Sequence, residues 1–122
     1  MKIILASKSE VRKIILEKND FICHVVPSNV DEDQVKDSLL AAGANPMLVS
    51  KNLAELKSIK VSNKYPDQMV LGADSVISLN NELINKPKSR EDALEILKSL
   101  NGSVHFLITS VCISKNGAMI WN

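Results

Sequence analysis

Apolar positions along the chain change period several times, and each change predicts an element. Ile3 to Ala6 is an unbroken apolar run of the length of a buried strand. Ser7-Lys8-Ser9 follows, and because serine is a favoured helix N-cap, either hydroxyl could open the next helix. Val11, Ile14, Ile15 and Lys18 fall at helical spacing, predicting a helix over 9–18 with one largely apolar face, ended by Asn19-Asp20. Phe21 to Val26 is β-branched and aromatic and reads as a second strand closed by Pro27. Asn29 to Asp33 reads as an acidic loop. Two helices are expected next: 33–42, stopped by Gly43, and 47–64, preceded by Pro46 in a first-turn position and carrying a stripe of Leu48, Leu53, Leu56 and Ile59.

The second half is richer in strands. Met69 to Leu71 predicts a short strand, and Gly72-Ala73-Asp74 is read as following its end. Ser75 to Leu79 and Glu82 to Ile84 flank Asn80-Asn81, a two-residue hairpin turn. Ser89 and Asp92 have capping-box spacing, with Asp in place of Glu. They open a helix whose inner face is expected to be Ala93, Ile96, Leu97 and Leu100, with Asn101-Gly102 as its stop. Val104 to Ile113 reads as a long strand, and Ala118 to Trp121 as its partner across Asn116-Gly117. Alternating strands and helices, with hairpins late in the chain, predict an α/β fold built on a mixed β-sheet flanked by helices. No repeat or linker interrupts residues 1–122, which are expected to form one domain. Ile120 and Trp121 would end it on an exposed edge strand, which leads to the expectation of a C-terminally truncated chain.

Composition narrows the class. The 122 residues are 45% hydrophobic and 24% charged, ordinary values for a globular chain with a modest core. The net charge of +1 gives no global field for nucleic acid or an anionic membrane, so anion binding has to be local. Cys23 and Cys112, without CxxC spacing, read as small buried hydrophobes in a reducing compartment, and no segment has the length of a signal or a membrane span. The expected location is the cytoplasm.

Three constellations carry candidate chemistry, each with a plainer alternative. Ser7, Ser9 and Arg12 stand where a strand runs into a helix N-terminus; such an end suits a phosphate, though a simple N-cap on a solvated helix has the same sequence. Asp31-Glu32-Asp33 could supply oxygens to a hard cation, or be a solvated helix start. Gly72-Ala73-Asp74-Ser75 with Lys86-Pro87 places a carboxylate and a cation at the open end of one hairpin, which is either a site or a surface ion pair of little worth. His24 and His105 lack ligand spacing, so zinc is not indicated. There is no GxGxxG, no Walker motif and no hydrolase triad.

The order of these blocks resembles the Maf family. Leu5-Ala6-Ser7-x-Ser9-x-x-Arg12 looks like its N-terminal signature, and Asp31-Glu32 resembles its acidic pair. Leu53-Ala54 with Lys57-Ser58 is similar to its Leu-Ala-x-x-Lys-Ala block, and Gly72-Ala73-Asp74-Ser75 to its Gly-Ala-Asp-Thr. Lys86-Pro87 matches its Lys-Pro, and Leu100-Asn101-Gly102 with His105 and Thr109 matches a further stretch. Two departures stand out. Glu10-Val11-Arg12 replaces the frequent Pro-Arg-Arg, as in members similar to the 7-methyl-GTP type, and family members run further past the C-terminus.

The resemblance implies an elongated Maf/ITPase-like sheet of which this chain is the N-terminal two-thirds, and a homodimer. It also implies Mg²⁺ or Mn²⁺ and hydrolysis of a nucleoside triphosphate, canonical or modified, to NMP and pyrophosphate. On that basis Arg12, Lys57 and Lys86 neutralise the triphosphate, and Ser7, Ser9, Arg12 and Ser75 bind substrate. Asp74 is the general base, and Glu32 with Asp74 places the metal. The alternative is a catalytically impaired nucleotide-binding or regulatory member involved in division control, motivated by the early stop and Val11.

Overall fold

A computed structural model describes residues 1–85 and 87–122. The chain opens with β1 (Lys2–Leu5), α1 (Glu10–Lys18) and β2 (Ile22–Val25), a parallel β-α-β unit with Lys2 opposite Ile22 and Leu5 opposite Val25. Two helices follow, α2 (Glu32–Ala41) and α3 (Pro46–Ser62). Next come β3 (Val70–Leu79), β4 (Glu82–Ile84), α4 (Arg90–Leu100), β5 (His105–Lys115) and β6 (Ala118–Trp121). The strands form one six-stranded mixed sheet in the order β2-β1-β3-β5-β6, with β4 paired to β3 off that path. Among the described residues no helix is long and apolar enough to cross a membrane.

Both hairpin turns form as the asparagines predict. Asn80 and Asn81 adopt φ of 52° and 62°, and Asn116 and Gly117 adopt 52° and 78°. Two successive left-handed residues match the twist of an antiparallel pair, so Leu79 lies opposite Glu82. The capping at α4 differs in one detail from the expected box. Ser89 Oγ accepts from Asp92 N at 3.0 Å, but Asp92 Oδ2 accepts from Lys88 N rather than from Ser89 N.

The sheet departs from expectation at β3. The separate strands expected over 69–71 and 75–79 are one continuous strand, so Asp74 sits in mid-strand and not beyond a strand end. Gly72 was the misleading signal. A Cβ at Gly72 would lie 2.3 Å from the Ala54 carbonyl oxygen and 2.8 Å from Ser58 N. Glycine here marks a close backbone approach by α3, and the strand runs straight through it.

The helix that makes this approach buries a different stripe from the one its leucines suggest. Leu48 and Leu56 are exposed, whereas Val49, Ser50, Leu53, Ala54, Lys57, Ser58, Val61 and Ser62 are buried. Ser50, Ala54, Ser58 and Ser62 recur at every fourth position, a row of small side chains that lets the helix axis settle close against β3 and β5. Pro46 at the first helical position and Asn45 Oδ1, which accepts from Leu48 N at 2.9 Å, fix where the helix starts. Ile4, Ala6, Val61 and Val70 form the adjoining core, with Val26 and Tyr65 packed on it.

The predicted apolar face of α1 is not covered: Val11, Ile14 and Ile15 are exposed. On the expected inner face of α4, Leu97 is exposed while Ala93, Ile96 and Leu100 are half-buried, and neither helix has a fully buried residue. Periodicity identifies an apolar face but not what covers it. The expected acidic loop is also shorter: Asp31 is the N-cap of α2, its Oδ1 accepting from Gln34 N at 3.1 Å, and Glu32 and Asp33 stand in the first turn.

Candidate active site

The site lies where one edge of β3 is left open. On that edge β1 pairs only as far as Leu5 opposite Leu71, and pairing resumes at Ile77, which lies opposite Ile84, the last residue of β4. Between them the main chain around Ala73 and Asp74 faces the end of β1 and the start of α1. The carbonyl oxygen of Ala73 accepts from Arg12 Nη1 at 3.2 Å and from Lys57 Nζ at 3.4 Å. Crevices at the carboxyl ends of parallel strands, where neighbouring connections diverge, are common ligand sites in α/β sheets.

Arg12 is held by a fork. Nη1 also donates to Ser7 Oγ at 3.3 Å, and Nη2 donates to Ser75 Oγ at 3.3 Å. Ser75 in turn shares a 2.9 Å hydrogen bond with Thr109 on β5, its ladder partner. Ser9 is the N-cap of α1, accepting from Arg12 N at 3.3 Å, and Ser7 Oγ accepts from Ser9 N at 3.1 Å. Both serine hydroxyls therefore serve the protein as acceptors and keep their protons for a ligand oxygen.

Alternation along β3 sends Asp74 to the face covered by α3. There Lys57 Nζ approaches Asp74 Oδ1 at 3.2 Å and also pairs with Glu32 Oε1, which α2 delivers. Asp74 is 5% exposed, and its Oδ2 is buried with no hydrogen-bond partner among the described residues. Ser50 Oγ donates to the Asp74 main-chain carbonyl at 3.0 Å. A buried carboxylate oxygen with an empty lone pair calls for a water or an ion.

In front of this cluster is a cavity of about 1000 Å³. Ser7, Ser9, Arg12, Glu32 and Lys57 line it, whereas Asp74 and Ser75 stand one layer behind. The structure thus brings Ser7, Ser9, Arg12, Ser75, Glu32, Lys57 and Asp74 together, and Lys86 lies outside the described residues. Among the described residues no group of three or more His, Cys, Asp or Glu is gathered for a metal. The donor set nevertheless fits a hard cation of the Mg²⁺ type, which takes one or two carboxylates and leaves its other positions to water and phosphate. Glu32 and Asp74 converge on one ammonium, and among the described residues Asp74 Oδ2 has no hydrogen-bond partner. Sequence reasoning missed Ser50 and gave Thr109 no task. Ser50 shows only as one member of the small-residue row on α3.

The family model for Maf-like proteins matches residues 2–121. A nucleoside triphosphate pyrophosphatase of Pelagibacter ubique is 61% identical over 121 residues, covering 99% of this chain and 62% of the relative. A protein of the same name from Ruegeria sp. is 40% identical over 119 residues, 98% of this chain and 60% of the relative. A 7-methyl-GTP pyrophosphatase of Rhizobium etli is 35% identical over 120 residues, again 98% and 60%. The chain spans about three-fifths of the length of these relatives. With nearly every residue matched and the motif residues gathered around one cavity, the chain belongs to the Maf-like protein family.

Proposed function

We propose that this chain carries the phosphate-binding and proton-accepting part of a nucleoside triphosphate pyrophosphatase, which hydrolyses an NTP to NMP and pyrophosphate. One observation carries the reading: Asp74 is buried, fixed on one oxygen by Lys57 and, among the described residues, unpartnered on the other, behind a cavity lined by Ser7, Ser9, Arg12 and Lys57. The names of the similar pyrophosphatases support the substrate class.

Ser7 and Ser9 donate their hydroxyl protons to phosphate oxygens, helped by the N-terminal end of α1. Arg12 holds the guanidinium plane in a set orientation, and Lys57 and Lys86 add positive charge around the triphosphate. Asp74 accepts a proton as water oxygen bonds to the α-phosphorus, while the α–β bridging bond breaks and its electron pair leaves with pyrophosphate. The demand on the protein is alignment and charge stabilisation more than covalent chemistry. Mg²⁺ or Mn²⁺, held by Glu32 and Asp74, supplies charge neutralisation on the phosphate oxygens when bound. Lys57, which pairs with both Asp74 and Glu32, orients the Asp74 carboxylate. A cytoplasmic homodimer belongs to the same reading. It is supported by the family resemblance, the two free thiols and the exposed apolar positions on α1.

The test is product analysis with an NTP panel that includes 7-methyl-GTP, in Mg²⁺ or Mn²⁺ and in chelator. NMP and pyrophosphate in equal amounts are expected, with none in chelator. Orthophosphate alone would overturn the assignment. Nucleotide binding without product would favour the regulatory alternative, which Val11 motivates.

A further inference from the structure

Lys36 has a largely buried side chain whose ammonium opens into the cavity, and neither the fold nor the proposed chemistry uses it. It stands on α2, four residues after Glu32, so the two side chains share one face of the helix. That face looks into the cavity, which Lys36 lines together with Arg12 and Lys57. Lys36 is only 8% exposed. Its neighbours Asp33 and Asp37 lie on the same helix and are exposed, yet among the described residues the Lys36 ammonium makes no ion pair and no hydrogen bond.

Lys8 and Lys88 also line the cavity but are exposed, and the two further cations there, Lys57 and Arg12, are already committed. Lys57 serves Glu32 and Asp74, and Arg12 serves Ser7, Ser75 and the Ala73 carbonyl. The Lys36 ammonium opens into the cavity and offers three donors and no acceptor. The partner that fits is therefore an anion rich in acceptors. A neutral base carbonyl would leave the charge uncompensated, whereas a phosphate oxygen would match it.

We propose that Lys36 binds the β- and γ-phosphates, the part that departs as pyrophosphate. This deepens the function proposed above and rests on it. The Asp74–Lys57 pair marks the reacting end, and Lys36 stands about one helical turn, roughly 5–6 Å, along α2 from Glu32. It therefore addresses the polyphosphate beyond the α-phosphorus. Negative charge grows on that departing group in the transition state, so the contact also aids turnover.

Calorimetry with pyrophosphate, with NMP and with an α,β-methylene NTP tests this without any need for turnover. Lys36→Met keeps the apolar stem and removes the charge. It should weaken pyrophosphate and the NTP analogue by at least about tenfold, the value of one charge-assisted hydrogen bond. NMP binding and the melting temperature should stay unchanged, and Lys36→Arg should restore most of the affinity. Equal weakening of NMP and pyrophosphate would overturn the assignment in favour of a base contact. Unchanged binding of all three would mark Lys36 as a cation that merely reaches solvent. Wild-type protein that binds these ligands but releases no products would refute the catalytic reading and still decide the role of Lys36.

Discussion

Ser50 Oγ reaches the main-chain carbonyl of Asp74, 24 residues away in sequence, at 3.0 Å. The bond ties the middle of β3 to the helix that carries Lys57, and so fixes the register between the carboxylate and its cation. Ser50→Ala should cost about 1 kcal/mol of stability, the net worth of a typical internal hydrogen bond. Its larger effect should fall on kcat, with KM little changed. Steady-state kinetics beside urea unfolding separates the two, and a KM effect alone would sink the positioning role.

Gly72→Ala should be far more damaging than its size suggests. The added methyl would meet main-chain atoms of Ala54 and Ser58, which cannot rotate away. Overpacking of this kind costs about 3 kcal/mol, near the upper end of its usual range. Denaturant titration should show the loss, together with reduced turnover because α3 and Lys57 are displaced as a unit. A variant as stable as wild type would mean that the helix does not seat on the sheet as described.

Asp74→Asn should lower turnover by about 10²- to 10⁴-fold, the usual range for a general base, and leave nucleotide binding largely intact. Quenched-flow or end-point measurement of pyrophosphate beside calorimetry reads both quantities. Undiminished activity would remove Asp74 from the proton-accepting role.

Arg12→Lys preserves charge but loses the planar fork that spans Ser7, Ala73 and Ser75. A fall in kcat/KM of about 10- to 100-fold is expected, equivalent to one or two charge-assisted bonds. Activity close to wild type would show that only the charge at this position matters.

The elements with strong local chemistry were legible in the sequence. Asn80-Asn81, Asn116-Gly117, Ser89 and Pro46 at the start of α3 all act through the backbone nearest to them, so local rules suffice. Long-range packing was not legible. The exposure of Leu48 and Leu56 on α3, and the burial of serines in their place, depends on β3 and β5, which are distant in sequence. Gly72 misled for the same reason, because its partner is a helix about fifteen residues upstream and not its own strand. The candidate site residues were singled out through their order in the chain, which brought Ser7, Arg12, Lys57 and Asp74 into one account. The bond from Ser50 and the burial of Lys36 required coordinates, since neither residue type announces such a role.

The two cysteines should report differently on alkylation. Partial burial, with the Glu17 carboxylate adding to it and Lys13 opposing it, holds the Cys23 thiol above its ordinary range. A raised value leaves less thiolate at any given pH below it, so Cys23 should react more slowly at pH 8 than a free thiol. Glu17→Gln should speed the reaction and Lys13→Gln should slow it. Stopped-flow labelling across pH 7–10 checks the order of the three proteins.

Cys112 lies beneath α3, where Ser58 Oγ is 2.7 Å from Ser114 Oγ and 3.2 Å from Cys112 Sγ. At 1% exposure it can meet a reagent only when the helix lifts from the sheet. The same lifting separates Lys57 from Asp74. The labelling rate of this one thiol is thus a clock for how often the proposed catalytic pair comes apart, read in the resting protein without substrate.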